Sequence, residues 1–486
     1  MGLDPEKKEP IAFDLSNPKF LEAYFNDIHH PMEEEGVDLW WIDWQQGRKS
    51  QIKGLDPLWG LNHYHYLDAA RGNKRPLILS RFADIGSHRY PLGFSGDTVI
   101  SWKSLDFQPY FTINAANVGY TWWSHDIGGH QMGEKNDELF VRHLQYGVFS
   151  PITRLHCSSV EIMTKEPWVY GNGAGLIAEE FLRLRHKLVP YLYTANYLNC
   201  VQGTALVEPM YYEWKDKQAY TYKEEYRFGS ELIVLPVTQR AYPDGYARVR
   251  AWIPEGEWTD IFTGDEYAVG AGGKECTLLR GLESIPVLAK RGAILPLSLD
   301  NLNSVGNPVN LEVAVFEGTG NYSLYEDGLE EGRYPVMMTD FTSEFVETNG
   351  VCTQSLQIST RGDGSVIPQN RVMKICFRNV RDGRVKLFVD GEEAPCKTRL
   401  PEFVEAYFTF DASKTYRVEV LYPGKTPMEK LIARAKRILT EIQAGNYAKE
   451  LVWKAVKETT TPEEYAAAVD NSSLDLGAKL RLKETL

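Results

Sequence analysis

Two aspartates in the first hundred residues stand where catalytic carboxylates could lie. Asp43 ends the apolar, tryptophan-rich run 37–43, and Asp97 follows the run 90–96. A pair of carboxylates beside aromatic rings suits cleavage of a glycosidic bond, because one can attack the anomeric carbon while the other gives a proton to the leaving oxygen. A retaining mechanism needs about 5–5.5 Å between them. The structural alternative is a pair of turn or helix-capping aspartates near core aromatics.

The segments that must position these aspartates alternate between strand-like and helical patterns. Helical stretches such as 18–34 and 137–147 separate short apolar runs, and this alternation is typical of an α/β fold with a parallel sheet. The strand-like runs are 37–43, 77–82, 90–96, 118–126 and 151–156. Each run ends in a polar cluster, as the strands of parallel barrels do at their active-site face. All ten histidines lie in this part of the chain, so we expect the chemistry there.

The remainder of the chain has a different residue pattern, first β-rich and then helical. From 226 to 424, short β-rich runs split by Gly, Pro and Asp predict two antiparallel β-sandwich domains. Helix-start patterns at Thr426-Pro427 and Thr461-Pro462 predict a helical tail that docks on its own chain, with partner binding as the alternative. The predicted domains are an α/β catalytic domain over 1–225, a proximal sandwich over 226–300, a distal sandwich over 301–424 and the tail over 425–486.

Composition narrows the class of function. The 486 residues carry a net charge of −13 and no basic run, which argues against nucleic acid as a partner. No apolar window is long enough for a membrane span, and residues 1–10 are charged rather than signal-like, so we expect no membrane span and leave the localisation open. The six cysteines include no Cys-x-x-Cys pair, so we expect isolated thiols rather than a zinc ribbon.

Short motifs between Phe13 and Asp327 follow one another in a recognisable order. In the α/β part they are Phe13-Asp14-Leu15-Ser16-Asn17-Pro18, Trp41-Ile42-Asp43, Ser80-Arg81-Phe82, Arg89-Tyr90, Gly96-Asp97, His125-Asp126-Ile127-Gly128-Gly129 and Arg154-Leu155-His156. In the β-rich part they are Phe228-Gly229-Ser230-Glu231-Leu232, Pro254-Glu255-Gly256-Glu257-Trp258, Pro286-Val287-Leu288 and Leu324-Tyr325-Glu326-Asp327. Together they resemble glycoside hydrolase family 31, the α-glucosidase and α-xylosidase family.

The resemblance implies a retaining, exo-acting α-glycosidase that removes a terminal α-linked sugar through a covalent glycosyl-aspartate. Asp43 would be the nucleophile, and Asp97 would be the acid and then the base. The residues that the resemblance places around the sugar are Arg81, Asp126 and His156 as hydroxyl-binding groups and Trp41 and Phe94 as apolar walls. This chemistry needs no metal or organic cofactor, and the expected partner is an α-glycoside or oligosaccharide substrate.

Two departures from the family pattern leave the sugar open. After the nucleophile, glucosidase-type members usually continue Met-Asn-Glu, whereas this chain has Trp44-Gln45-Gln46. Many members place an aromatic after the Asp-Ile-Gly-Gly loop, whereas this chain has His130. We therefore expect Trp44 and His130 to contact the substrate, and the sugar could be glucose, xylose, galactose or N-acetylgalactosamine.

The third departure concerns the barrel. Family members carry an N-terminal β domain and a full eight-stranded (β/α)8 TIM barrel, whereas this chain supplies five strand-like runs that correspond to the fourth to eighth strands. An open sheet exposes two edges and one side of the core. We therefore expect a partial TIM barrel with impaired activity, either as a fragment or as a chain that pairs with a second chain supplying the missing strands.

Two rival interpretations remain at this point. A non-catalytic carbohydrate-binding or interaction protein would keep the sugar-contacting residues without turnover. A metallohydrolase is less favoured: His63, His65 and His125 with Asp126 and His130 could be drawn as ligands, but the sequence has no His-Glu-x-x-His helix.

Overall fold

In the computed structural model, which describes residues 12–43, 46–301, 303, 305–328, 334–380, 383–399 and 403–486, the first part of the chain forms a parallel sheet flanked by helices. Its elements are α1 Pro18–Ala23, α2 His30–Glu34, β1 Trp40–Ile42, α3 Pro57–Ala69, β2 Ile78–Arg81, β3 Leu92–Phe94, α4 Trp102–Asn117, β4 Trp123–Ser124, α5 Asp137–Val148, α6 Asn172–Lys187 and α7 Val189–Gln202. A π-helical turn, Tyr24–His29, joins α1 to α2, so the helix predicted over 18–34 is present as one helical run.

The parallel sheet has the strand order β1-β2-β3-β4, and every neighbouring pair is parallel. In β2, Ile78, Leu79 and Ser80 are buried and Arg81 at the end is half-buried. A strand covered on both faces takes consecutive apolar or small residues. The first charged side chain of β2, Arg81, therefore stands at the carboxyl end, on the edge that all four strands share.

The run 151–156, predicted as a fifth strand, is not a regular strand. It meets the sheet only through single parallel bridges, Ser124 with Ile152 and Ile127 with Leu155. Pro151 has no amide hydrogen to donate, and the Thr153 hydroxyl instead donates to the Gly147 carbonyl at the end of α5. Among the described residues the sheet therefore has four strands and no closed barrel.

Side-chain caps set the points at which three of these helices begin. Asp56, Ser101 and Asn136 each accept a hydrogen bond from a backbone amide two or three residues ahead, at 2.7–3.1 Å. Such caps satisfy amides that the first turn of a helix leaves unbonded. Because these caps anchor α3, α4 and α5, the loops that lead into them have fixed ends.

The β-rich part contains nineteen strands and one short helix among the described residues. They are β5 Val207–Pro209, α8 Lys217–Thr221, β6 Tyr226–Phe228, β7 Leu232–Val234, β8 Ala247–Ile253, β9 Gly256–Asp260, β10 Glu266–Val269, β11 Lys274–Arg280, β12 Val287–Lys290, β13 Ile294–Ser298, β14 Asn310–Val315, β15 Gly320–Asp327, β16 Val336–Thr348, β17 Val351–Gly362, β18 Val372–Phe377, β19 Arg384–Val389, β20 Glu392–Ala394, β21 Lys397–Arg399, β22 Val404–Thr409 and β23 Tyr416–Pro423.

These strands form four sheets. Their orders are β10-β9-β12-β7-β6-β5, β11-β8, β13-β14-β18-β22-β21 and β15-β16-β17-β23-β19-β20. One pair departs from the predicted antiparallel pattern, because β14 and β18 run parallel. The long chain between them, which contains β15 to β17, allows the crossover that a parallel pair requires. The domain boundaries stay predictions, and β5 already belongs to a β-sheet before residue 226.

The last segment is helical and packs on the proximal β-sheets. Its helices are α9 Pro427–Glu441, α10 Asn446–Val456, α11 Pro462–Asp470 and α12 Leu476–Lys483. Thr426 and Glu429 form a capping box at the start of α9. The buried Asp265 accepts bonds from Arg434, Arg437 and Arg481, which ties α9 and α12 to the sheet region. No helix in the described parts of the chain has the length and apolar character that a membrane span requires.

Candidate active site

Arg81, at the end of β2, joins the two aspartates that the sequence singled out. Its Nε donates to Asp43 Oδ1, and its Nη2 donates to Asp97 Oδ1 at 2.8 Å. Burial alone would lower the pKa of Arg81, but hydrogen bonds and charges from both aspartates outweigh it and raise that pKa. Both carboxylates remain accessible, with 29% and 39% of their side chains exposed. One permanent cation therefore holds two solvent-accessible carboxylates.

Gly96 lets the Arg81 side chain reach Asp97. Its φ is +74°, in the left-handed region that favours glycine. A Cβ placed on Gly96 would lie 2.7 Å from Arg81 Nη1. Any side chain at this position would therefore collide with the guanidinium that binds both aspartates.

Two aromatic rings flank this arginine. Trp41 and Phe94 meet edge to face with ring centroids 5.4 Å apart. Trp41 in β1 is 41% exposed, whereas Phe94 in β3 is 2% exposed. The Arg81 guanidinium carbon lies 5.3 Å from the Phe94 ring centroid. The two rings thus form an apolar wall that is open on the Trp41 side.

A second arginine, Arg154, ties the neighbouring loop to the same wall. Its Nη2 donates to Asp126 Oδ1 at 2.6 Å, and its Nε donates to Ser124 Oγ at 3.1 Å. Its guanidinium carbon lies 4.7 Å from the Trp41 ring centroid and 5.4 Å from that of Phe94. Arg154 belongs to the Arg154-Leu155-His156 motif, but it is not among the predicted site residues. The Arg-x-His pattern contained it, yet its contact with Asp126 depends on a loop that the sequence does not orient.

Two histidines connect the loop after β4 to the carboxylate pair. His130 Nε2 lies 3.8 Å from Asp97 Oδ2, and the His130 ring stacks on His156 with centroids 4.7 Å apart. His156 also contacts the Trp41 ring at 5.1 Å. Burial lowers the pKa of His156, and Asp126 and Asp97 only partly oppose this. His156 is therefore a neutral imidazole near pH 7, able to donate one hydrogen bond and accept another.

A buried hydrogen-bond chain supports this loop from below. Gly128 N donates to His143 Nδ1 at 3.1 Å, which leaves the proton of neutral His143 on Nε2, 3.1 Å from His125 Nδ1. His125 Nε2 in turn lies 3.3 Å from Ser150 Oγ. Burial lowers the pKa of both histidines, that of His143 to about 3. Sequence reasoning missed His143 and Ser150, since only the density of histidines in this part of the chain hinted at them.

The histidines first considered as metal ligands have other partners. His63 Nδ1 lies 2.9 Å from the Tyr90 hydroxyl, and His65 Nε2 lies 3.0 Å from the Tyr24 hydroxyl. Both histidines lie on α3, where each ring nitrogen named here contacts a tyrosine hydroxyl. His125 belongs to the buried hydrogen-bond chain described above. The set drawn from the sequence is therefore not a metal site.

A different group of three does converge. One ligand atom each from Asp126, His130 and His156 lies within 4.8 Å of the other two. The structure thus brings together all the predicted site residues that it describes; Trp44 lies outside the described residues. Their roles in catalysis and binding stay predictions.

Comparison with known proteins identifies the family to which the chain belongs. Residues 4–195 match the glycosyl hydrolases family 31 TIM-barrel domain, and residues 203–295 match the glycosyl hydrolase family 31 C-terminal domain. The chain belongs to glycoside hydrolase family 31. This confirms the family that the motifs indicated and a family 31 TIM-barrel domain followed by β-rich domains.

Curated relatives of this family 31 chain carry glycosidase names. The chain is 28% identical over 337 residues to an alpha-xylosidase of Saccharolobus solfataricus, covering 65% of this chain and 44% of that protein. It is 25% identical over 384 residues to alpha-glucosidase 2 of Bacillus thermoamyloliquefaciens, covering 77% of this chain and 47% of that protein. The chain thus spans about half the length of these relatives.

Solved family 31 structures share the fold. The Flavobacterium johnsoniae dextranase complexed with glucose superposes with a TM-score of 0.70 at 21% identity, covering 84% of this chain and 56% of that chain. The glucosidase II alpha subunit superposes with a TM-score of 0.66 at 20% identity, covering 83% of this chain and 49% of that chain. Both matches cover more of this chain than the 1–295 region, so the shared fold extends into the distal β-rich part.

Proposed function

We propose that this chain carries the catalytic pair of a retaining, exo-acting α-glycosidase, with Asp43 as nucleophile and Asp97 as acid/base. The observation that carries the proposal is the single Arg81 guanidinium that hydrogen-bonds both carboxylates. Two carboxylates bound to one guanidinium are held close together, as the retaining mechanism needs. Turn or capping aspartates would not share a cation at the ends of two different strands.

The proposed reaction has two displacements. Asp43 attacks the anomeric carbon while protonated Asp97 gives its proton to the leaving oxygen, and a covalent glycosyl ester forms on Asp43. Asp97, now ionised, then takes a proton from water, which attacks the same carbon and releases Asp43. Arg81 orients both groups and stays charged throughout, so it adds no proton step.

The proposed sugar site lies beside this pair. Asp126 and neutral His156 offer acceptors and donors for sugar hydroxyls, and Trp41 provides an exposed apolar surface on which a ring can stack. Trp44 and His130 are proposed to select the sugar. The alpha-xylosidase and alpha-glucosidase names of the relatives support an α-linked substrate.

Hydrolysis of aryl α-glucosides and α-xylosides tests the proposal. We expect release of the aryl group by the chain, and a loss of about 10⁴–10⁶-fold in Asp43→Ala, the range measured for removal of single members of a catalytic triad. Asp38→Ala is the matched control, because Asp38 is an exposed carboxylate five residues earlier in the same segment. Equal activity of Asp43→Ala and the intact chain would contradict the assignment.

A binding protein without turnover is the second candidate. The four-stranded sheet, open among the described residues, favours it, because an incomplete barrel leaves part of the pocket wall unbuilt. In that case the chain would retain a saturable affinity for an α-linked oligosaccharide, measured by calorimetry, but would release no aryl group.

A further inference from the structure

We propose that an apolar rim beside Asp97 binds the leaving group of the substrate, so that the chain prefers α-glycosides whose leaving group is an alkyl or aryl alcohol. The rim consists of four residues that are between 41% and 91% exposed, namely Val99, Met132, Val160 and Ile162. This inference rests on the proposed function, because it takes Asp97 as the acid. It adds the chemical class of the leaving group, which the sugar-binding residues do not determine.

Backbone contacts place the first two rim residues next to Asp97. The carbonyl of Thr98 accepts from the Gln131 amide at 3.1 Å, and Val99 forms a parallel bridge with Gln131. Met132 follows directly in the chain. The acid gives its proton to the leaving oxygen, so the group attached to that oxygen must lie on the Asp97 side of the sugar. Val99 and Met132 therefore lie on the side from which the leaving group departs.

A second loop adds the other two rim residues. The Ser158 amide donates to the His130 carbonyl at 2.8 Å, which fastens this loop beside the one that carries Met132. The Met163 amide donates to the Val160 carbonyl at 2.9 Å and closes a turn that contains Ile162. Hydrogen bonds thus hold the two segments of the rim beside each other.

The backbone of Met132 is held in a conformation that its side chain disfavours. Its φ is +53°, in the left-handed region, which residues other than glycine seldom adopt unless the surrounding structure imposes it. The next residue, Gly133, passes so close to Ile100 that a Cβ at Gly133 would collide with the Ile100 carbonyl oxygen. Strained residues of this kind are concentrated at ligand sites, and methionine adapts its shape to apolar ligands.

The side chains of the rim decide the class of leaving group. Valine and isoleucine side chains offer no hydrogen-bond donor or acceptor, and the methionine sulfur is only a weak acceptor. A sugar placed against them would lose water from its hydroxyl groups without gaining hydrogen bonds in return. An alkyl or aryl group would instead remove apolar surface of both partners from water, which is favourable.

Calorimetry with methyl and hexyl α-glucosides and α-xylosides tests the inference. The full chain carries Asp43→Asn, so that no covalent ester forms and binding is measured without turnover. Each methylene buried in an apolar contact strengthens binding by about fourfold. The hexyl glycoside of the accepted sugar should therefore bind at least about tenfold more tightly than the methyl glycoside, because this needs burial of only two of the five added methylenes.

A double variant, Met132→Asn with Ile162→Asn, removes apolar surface from both segments of the rim. Asparagine adopts the left-handed conformation more readily than methionine, so the loop keeps its backbone. The double variant should bind the methyl glycoside as before and the hexyl glycoside within about threefold of it, because the added methylenes no longer meet apolar surface. Leu476→Asn, at an exposed leucine of α12, should keep the full preference for the hexyl glycoside.

The outcomes separate this inference from the proposed glycosidase. Failure of the hexyl glycosides to bind, equal affinities of the methyl and hexyl glycosides in both series, or a hexyl preference that survives in the double variant would overturn the apolar rim. A dimer of the chain that dissociates in the double variant would also overturn it, because a second copy would then cover the rim. Release of the aryl group by the unmodified chain tests the proposed function separately, since these affinities do not depend on turnover.

Discussion

At the scale of single residues, Arg81 holds the candidate active site together. Its guanidinium is planar and presents donors in a fixed fork, so it can hold two carboxylates in one geometry, whereas an ammonium group cannot do so with the same directions. The Gly96 backbone leaves the space that this guanidinium occupies. The site therefore depends on Arg81, which binds both carboxylates, and on Gly96, which has no side chain and leaves room for the guanidinium.

Arg81→Lys should reduce kcat/KM on an aryl α-glycoside while leaving the fold intact. The loss of one charge-assisted hydrogen bond, about 1.5–3 kcal/mol, corresponds to roughly 10–150-fold. Steady-state kinetics and circular dichroism measure the two effects. Arg183→Lys, whose arginine pairs with Glu179 on the exposed face of α6, should change neither quantity. A lysine variant with full activity would show that Arg81 does not organise the pair.

Asp97→Asn should affect poor leaving groups more than good ones. An alkyl alcohol needs a proton as it departs, whereas a dinitrophenolate does not, so kcat/KM should fall by about 10²–10⁴-fold for an alkyl α-glycoside and far less for the dinitrophenyl α-glycoside. Asp106→Asn, at an aspartate of α4 that bonds Thr238, is the control. Equal losses on the two substrates would contradict the role of Asp97 as the acid.

Sequence reasoning was most successful for residues at strand ends. It grouped Asp43, Arg81 and Asp97, because carboxyl ends of parallel strands meet at one edge. It missed the contact of Arg154 with Asp126 and the buried support from His143. Both contacts depend on the path of the loop after β4 and on the orientation of α5. The spacing of residue types along the sequence determines neither.

At the scale of elements, the run 151–156 has the residue pattern of a strand but makes only isolated bridges to its neighbours. Its apolar residues predicted a strand, but Pro151 lacks a donor and the Thr153 hydroxyl bonds the end of α5. The helices were easier to predict, since the capped starts of α9 and α11 follow from Thr-Pro patterns alone. Local signals thus predicted helix starts better than strand pairing.

The contact between α3 and the first helical run should weaken in acid. Burial lowers the pKa of His65 to about 3, from a usual value of about 6.5. Between these values the unfolded chain binds a proton that folded His65 does not, so this group costs no stability above pH 6.5 and progressively more as the pH falls. At pH 4.5 the loss should reach about 2–3 kcal/mol.

Urea unfolding at pH 7 and 4.5 checks this expectation. The difference in unfolding free energy between the two pH values should be smaller in His65→Asn than in the unmodified chain, because asparagine does not titrate. His186→Asn should behave like the unmodified chain. An identical pH dependence in His65→Asn would show that His65 is not the group responsible.

At the scale of the whole molecule, a buried ionic cluster ties the helical tail to the proximal sheets. Asp265 is buried among Arg434, Arg437 and Arg481, whose charges outweigh burial and lower the pKa of Asp265. The sequence predicted the start of α9 from its Thr-Pro pattern. It did not predict that the arginines between the apolar positions would be buried, because their partner lies some 170 residues earlier.

Asp265→Asn should loosen the tail. Removing one partner of a buried ionic cluster typically costs about 3–5 kcal/mol, because the remaining charges stay buried. Limited proteolysis should then cleave within 425–486 faster, and the unfolding midpoint should fall. Glu450→Gln breaks an exposed pair with Lys454 on α10 and should leave the unfolding midpoint and the cleavage rate nearly unchanged, because exposed pairs contribute little to stability. Equal resistance of the two variants to protease would contradict the anchoring role of Asp265.

The order of an α/β part, a β-rich part and a helical end was predictable from the residue patterns along the chain. The parallel pairing of β14 with β18 was not predictable, because the sequence between two strands that are far apart in the chain does not show whether they pair parallel or antiparallel. A second chain that supplies further barrel strands stays a prediction.

Covalent trapping tests whether Asp43 is the nucleophile. An activated fluoro-sugar α-glycoside should glycosylate the nucleophile carboxylate and release its leaving group, and the glycosyl ester should persist because the fluorine slows the second displacement. We expect one added sugar mass per chain, on the tryptic peptide 20–48, with fragmentation placing it on Asp43. A label on any other residue, or no label under conditions where the chain hydrolyses the aryl glycoside, would exclude Asp43 as the nucleophile.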